Sequence, residues 1–348
     1  MKTTPLTEPT VREFLARVSS VFTNKPFRPH RIFSGGHAQT LASYAWPRRL
    51  RANDQDRIFE VGPDAKLLAN CRWQANPLDR PTILLWHGME GSTSSTYMLA
   101  IAQKSFRDGF NVVRVNLRNC GGTEHLTPTL YHAGLSEDLR AVISELVAKD
   151  GLRRIFLIGY SLGGNLVLKL AGEYANEPPG EVVAICAVSP SVDLAASSVA
   201  ISRSSNWIYQ QNFLRRMRKR VQLKKRFFPD LYDVSELNSV HTIREFDERY
   251  TSKRHGFSGA DDYYAKASSL RLIDRIRIPT LIIHSRDDPF IPFAPLQNPV
   301  VNQNPYILFV ATEGGGHIAF LGSTRNGEDR FWAENRVVEF CRRANDEL

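Results

Sequence analysis

The chain has 348 residues, 42% hydrophobic and 23% charged, so it can bury a sizeable core and wholesale disorder is excluded. Its formal charge of +9 is uneven: Arg215–Arg226 reads RRMRKRVQLKKR, eight basic residues without an acidic one, and the remainder is nearly neutral. No run of about 18 apolar residues exists to form a membrane-spanning helix, and Cys71, Cys120, Cys186 and Cys341 form no Cys-x-x-Cys pair, which argues against a zinc ribbon or a dithiol redox site.

In chain order, residues 1–22 lack a signal-peptide apolar stretch, and the spacing of Val11, Phe14, Leu15 and Val18 predicts a short amphipathic helix. Cysteines 71 and 186 lie in strand-like apolar runs as buried thiols, and this usage suits a reducing cytoplasm. Eight β-rich runs follow: Arg57–Val61, Leu67–Trp73, Thr82–Trp86, Asn111–Leu117, Arg154–Gly159, Val182–Val188, Thr280–His284 and Tyr306–Val310. The first two, separated by Gly62-Pro63-Asp64, read as an antiparallel hairpin. Later runs such as IFLIG and VVAICAV are apolar almost throughout, the pattern of parallel strands covered on both faces. Helical periodicity fills the gaps at Ser136–Ala148, Leu162–Tyr174 and Phe331–Arg343. This alternation predicts an α/β fold with a mostly parallel eight-stranded sheet and helices on both faces. Between residues 195 and 275 the rhythm breaks, and a mainly helical cap inserted between the sixth and seventh strands is expected. The expected organisation is 1–55 N-terminal helix and extension, 56–194 first part of the core, 195–275 cap, and 276–348 second part of the core.

Gly159-Tyr160-Ser161-Leu162-Gly163 matches G-x-S-x-G. Its context carries the reading: it follows the buried run RIFLI and opens a helix, the strand–turn–helix setting that lifts a serine Oγ clear of a sheet. Gly256-Phe257-Ser258-Gly259 lacks that setting. A serine needs a general base, and the order in such sites is serine, acid, histidine. Of the four histidines after Ser161, His317 sits in a glycine-rich loop after the last strand, where a side chain reaches the C-terminal edge of the sheet. His241 and His255 fall in the cap as surface or structural groups, and His284 shapes the turn after the seventh strand. That turn, Ser285-Arg286-Asp287-Asp288-Pro289, supplies the acid: Asp288, with Asp287 as the alternative. Oxyanion donors are expected from the amides of Leu162 and of Met89, in ILLWHGMEGS after the third strand. His87 precedes the serine and stands outside that order. Neither a phosphate-binding G-x-x-x-x-G-K-[ST] nor a zinc H-E-x-x-H occurs, and no cofactor or metal is implied.

With these motifs in place, the chain resembles the YheT-like branch of the α/β-hydrolases. The resemblance rests on Gly36-His37-Ala38-Gln39-Thr40, HGMEGS at 87–92, Arg118-Asn119-Cys120-Gly121-Gly122 and Tyr131-His132-Ala133-Gly134. It continues through GYSLGGN at 159–165, Phe246-Asp247, HGFSGADDYY at 255–264, DDPF at 287–290 and GGGHIAFLG at 314–322. Asn119 departs from the pattern, where glycine is expected. The resemblance implies an esterase or lipase with the triad on Ser161, Asp288 and His317 and a small-molecule ester or acylglycerol-type lipid substrate. It also leaves open an alcohol acyltransferase with the same triad, since fungal relatives make medium-chain esters. His37, Gln39 and His132 receive no chemical role and are expected to brace loops. The basic run lacks aromatic interleaving and any nucleic-acid-binding motif around it. It is expected to be a solvated helix face in the cap, with at most weak peripheral contact with anionic membranes.

Overall fold

The computed structural model describes residues 6–50, 54–324 and 327–348. Eight strands, β1 Gln55–Gly62, β2 Ala65–Arg72, β3 Thr82–Trp86, β4 Asn111–Val115, β5 Ile155–Tyr160, β6 Val182–Val188, β7 Thr280–Ser285 and β8 Ile307–Thr312, form one sheet in the order β1-β2-β4-β3-β5-β6-β7-β8. β2 pairs antiparallel with both β1 and β4, and every pair from β4 to β8 is parallel. The expected hairpin and mostly parallel sheet are therefore present. Every residue of β3 to β7 is buried, because helices cover both faces, whereas β2 alternates and buries Leu67, Ala69 and Cys71 from one side. Arg57 of β1 ties this edge of the sheet to the helix Ser136–Ala148 and the turn after it, reaching Glu145 at 2.9 Å and pairing with Asp150.

On one face α4 (Ser136–Ala148) and α5 (Leu162–Tyr174) close the core; on the other lie α1 (Glu8–Asn24), α3 (Thr96–Arg107) and the C-terminal helix Trp332–Glu347. The i, i+3, i+4, i+7 spacing of α1 buries Val11, Phe14, Leu15 and Val18, with Phe14 against Phe340 at 5.6 Å between ring centroids. Each such side chain contributes about 1.5–3 kcal/mol when fully buried. The short helix α2 (Gly36–Ala45) lies beside the β8 end of the sheet, where Gln39 and Thr40 are buried.

Between β6 and β7 the described residues hold helices and no strand. The main ones are α6 (Leu194–Ile201), α7 (Trp207–Phe227), the helical stretch 243–254 with a π turn at Asp247–Thr251, and α8 (Ala260–Ala267). This segment has its own cluster, in which Leu214, Met217 and Val221 of α7 pack with Tyr232, Val240 and Phe246, and it meets the core through Leu130 and Phe290. The basic run lies on α7 and is not uniformly solvated. Arg215, Arg216, Lys219 and Arg226 are exposed, but Arg220 and Lys224 are buried. The reason is that their partners lie inside: Arg220 pairs with the buried carboxylate of Glu90, and Lys224 donates to the carbonyls of Glu124 and Thr127. No described helix is long and apolar enough to cross a membrane.

Candidate active site

β5 ends at Tyr160, α5 starts at Leu162, and the single residue between them, Ser161, has φ 55° and ψ −116°. A non-glycine residue held there costs about 1–3 kcal/mol, so the surroundings must over-determine the turn. They do: Ser161 N–H donates to Val188 O at 2.9 Å, and Asn165 N–H donates to Ser161 O at 3.0 Å. The two glycines are required by close approach. A Cβ on Gly159 would lie 2.1 Å from Gly163 O, and one on Gly163 would lie 2.4 Å from Trp86 O. Asn165, the last residue of GYSLGGN, pins the first turn of α5. Its amide donates to Ala133 O and Ala267 O, both at 2.9 Å, and its oxygen accepts Ser269 N–H at 2.8 Å.

The turn after β7 and the loop after β8 meet beside this serine. His317 Nδ1 lies 2.7 Å from Asp288 Oδ2, with the Asp288 side chain fully buried. The other carboxylate oxygen accepts the N–H groups of Phe290 at 3.0 Å and Ile291 at 2.9 Å. Burial alone would raise this carboxyl, but the adjacent imidazole and the amide donors outweigh it and hold it below the ordinary carboxylate range. Asp287 points elsewhere: its Oδ1 accepts Gly316 N–H at 2.9 Å and ties down the histidine loop. That loop is anchored further. Thr40 Oγ1 accepts His317 N–H at 2.9 Å, and Ser189 Oγ accepts Ile318 N–H at 3.1 Å.

Gly88 touches the serine, since a Cβ on it would be 3.0 Å from Ser161 Cβ. Met89 and Leu162 line the same cavity as Ser161 and His317. Among the described residues of the Gly88–Gly91 loop, three N–H groups are occupied: Gly88 to Tyr97 Oη at 2.9 Å, Glu90 to Tyr131 Oη at 3.1 Å and Gly91 to Gly88 O at 3.0 Å. Met89 N–H is not among those bonds. No hydrogen bond joins Ser161 Oγ to His317 among the described residues, and such contacts are often long until a substrate is bound.

His87, His255 and His284 have structural partners. Both nitrogens of buried His87 are taken, Nδ1 with Gly88 O at 2.7 Å and Nε2 accepting Leu117 N–H at 3.0 Å, and burial pulls it down to about 4. His284 Nε2 closes the acid turn on Ile291 O at 3.2 Å. His255 bonds Leu130 O at 2.8 Å and meets His132 edge-on, while His241 is exposed. Gln39 braces the histidine loop with three bonds, to Phe33 O and in both directions to Leu321, and His37 stacks on Tyr209 with 10° between the rings.

The cavity has a volume of about 480 Å³, within the range of small-molecule sites. Its walls are largely apolar, with Leu194, Ile201, Phe213, Met217, Ile243 and Phe290 among them, so they suit an acyl or alkyl group better than a charged one. No group of three or more His, Cys, Asp or Glu among the described residues could hold a metal ion.

Comparison with known proteins agrees with this architecture. A family model described as alpha/beta hydrolase fold matches residues 81–324. YheT of Escherichia coli (strain K12), which bears an esterase name, is 30% identical over 90% of this chain and 92% of its own. Medium-chain fatty acid ethyl ester synthase/esterase 2 of Saccharomyces cerevisiae is 29% identical over 76% of this chain, which spans only 62% of the yeast protein. Among solved structures, Est1E from Butyrivibrio proteoclasticus superposes with a TM-score of 0.53 at 15% identity, covering 84% of this chain and 99% of its own, a likeness of fold.

Proposed function

This chain belongs to the α/β-hydrolase family, in its YheT-like branch, and on that premise we propose that it cleaves carboxylic esters with Ser161 as nucleophile, His317 as general base and Asp288 as the orienting acid. The observation that carries the reading is the convergence of a strained serine turn and a carboxylate-bound histidine on one apolar cavity. Ser161 Oγ attacks the ester carbonyl while His317 Nε2 takes its proton. Asp288 accepts the Nδ1–H, fixes the tautomer and stabilises the imidazolium. The tetrahedral oxyanion is held by the N–H groups of Met89 and Leu162, an arrangement whose single donors are worth about 10²–10³ in turnover. Collapse expels the alcohol, which takes the proton back from His317. Water, deprotonated by the same imidazole, then releases the acid and restores the serine.

An alcohol in place of water would make the same site an acyltransferase, a reading favoured by the name of the yeast relative. A cytoplasmic setting fits four cysteines that are all free and buried. The test is a hydrolysis screen over p-nitrophenyl esters of graded chain length, with and without added ethanol, on wild type and Ser161→Ala. Wild-type turnover that the variant loses supports the reading; equal turnover overturns it. Ethyl ester formed in preference to free acid favours the transferase.

A further inference from the structure

Glu90 carries a charge that the chemistry above leaves idle. It occupies the third position of the tight turn closed by Gly91 N–H and Gly88 O, where its φ is +57°, a conformation that favours glycine. A glutamate stands there with its side chain only 2% exposed. Its carboxylate is fully engaged. Oε2 accepts Arg220 Nη2 at 2.7 Å, while Oε1 accepts Arg220 Nε at 3.2 Å and Tyr131 Oη at 2.9 Å. Tyr131 also accepts the Glu90 N–H at 3.1 Å, closing a ring of bonds around one residue. Burial, and then the charge of Glu90, keep this phenol protonated and donating. Arg220 donates its remaining nitrogen to Asn119 O, and Arg216, a turn earlier on α7, donates to Glu90 O at 3.3 Å.

The second residue of that turn is Met89, whose N–H is the proposed oxyanion donor. We propose that Arg220, with Tyr131, is a positioning residue: from α7 it clamps Glu90 and so fixes the turn that aims Met89 N–H at the oxyanion. This rests on the esterase reading above. A buried, bidentate pair does this better than a flexible lysine could, because the planar guanidinium holds both oxygens at once. The segment between β6 and β7 thus does more than wall the cavity; it completes the oxyanion site from 130 residues away.

The test compares wild type, Arg220→Gln and Tyr131→Phe on a soluble short-chain ester, with active sites counted by end-point labelling with a fluorophosphonate. Arg220→Gln is expected to lower kcat about 10- to 100-fold at nearly constant KM, the scale of a slightly misplaced catalytic group. Affinity for a trifluoromethyl ketone, whose adduct carries the oxyanion, should fall by the same factor. Tyr131→Phe, which leaves the ion pair in place, should show the same pattern more weakly and decides the matter if Arg220→Gln does not fold. Unchanged kcat, or a loss of kcat with unchanged trifluoromethyl ketone affinity, overturns the proposal. Wild type that neither turns over esters nor takes the label sinks the esterase reading instead.

Discussion

Two strand-end loops carry a histidine beside glycines, and they bond it in different ways. After β3, His87 is fully buried with both ring nitrogens bonded to backbone, and burial holds it neutral down to about pH 4. After β8, His317 is almost as buried, at 5%, but among the described residues only its Nδ1 is bonded, to a carboxylate, and the ring lines the cavity. Burial does not separate them. The partner does: a backbone-locked ring can only hold loops together, whereas a carboxylate-bound ring keeps one nitrogen free for a proton.

The widest separation is expected from paired replacements. His317→Ala should lower turnover by roughly four to six orders of magnitude with little change in melting temperature. His87→Ala orphans Leu117 N–H, at about 1–3 kcal/mol, and leaves Gly88 O with Gly91 N–H as its donor, so denaturant unfolding should show the larger loss there. Comparable kinetic losses from the two would erase the distinction. The acids sharpen it next. Asp288→Asn should cost about 10⁴ in turnover by supporting the wrong tautomer. Asp287→Asn should stay within about tenfold, since an amide oxygen still accepts the Gly316 N–H. A larger loss at 287 would transfer the orienting role.

The locked ring also has a pH signature. Its folded value of about 4 lies below the 6.5 of a free imidazole, so between these values the unfolded chain binds the extra proton. The contribution is whole above pH 6.5 and is lost as pH falls to 4, about 3 kcal/mol at the lower limit. His255, also lowered to about 4, acts in the same direction. Asp247, raised to about 6 by burial, opposes both between 6 and 3.8. Urea midpoints at pH 7 and pH 5 should therefore diverge less in His87→Gln than in wild type; identical divergence would mean His87 is not held neutral. The smallest effect is at the outer brace. Thr40→Val removes the acceptor of His317 N–H, worth about 1 kcal/mol, and should lower turnover severalfold in steady-state kinetics.

What was legible in the sequence follows from range. The apolar runs that became β3 to β7 and the GYSLG turn declare themselves locally, because a strand's periodicity and a strand–turn–helix motif each lie within about 20 residues. The oxygens around the histidine loop do not. Thr40 meets His317 across 277 positions and Gln39 meets Leu321 across 282, so the bracing role expected of Gly36-His37-Ala38-Gln39-Thr40 comes without the loop it braces. Asn165 bonds 32 and 102 positions away. The basic run misled for the same reason: charge patterning expects a solvated face, and nothing near Arg220 in sequence announces Glu90. The choice between Asp287 and Asp288 was open because both follow one strand; only the fold separates their partners, Gly316 and His317.

Intact-protein and peptide mass spectrometry after treatment with a fluorophosphonate tests Ser161 as the nucleophile most directly. One adduct per chain, on the peptide containing Ser161 and absent from Ser161→Ala, is the predicted result. An adduct of equal yield on Ser161→Ala, or one mapped to another serine, would contradict it.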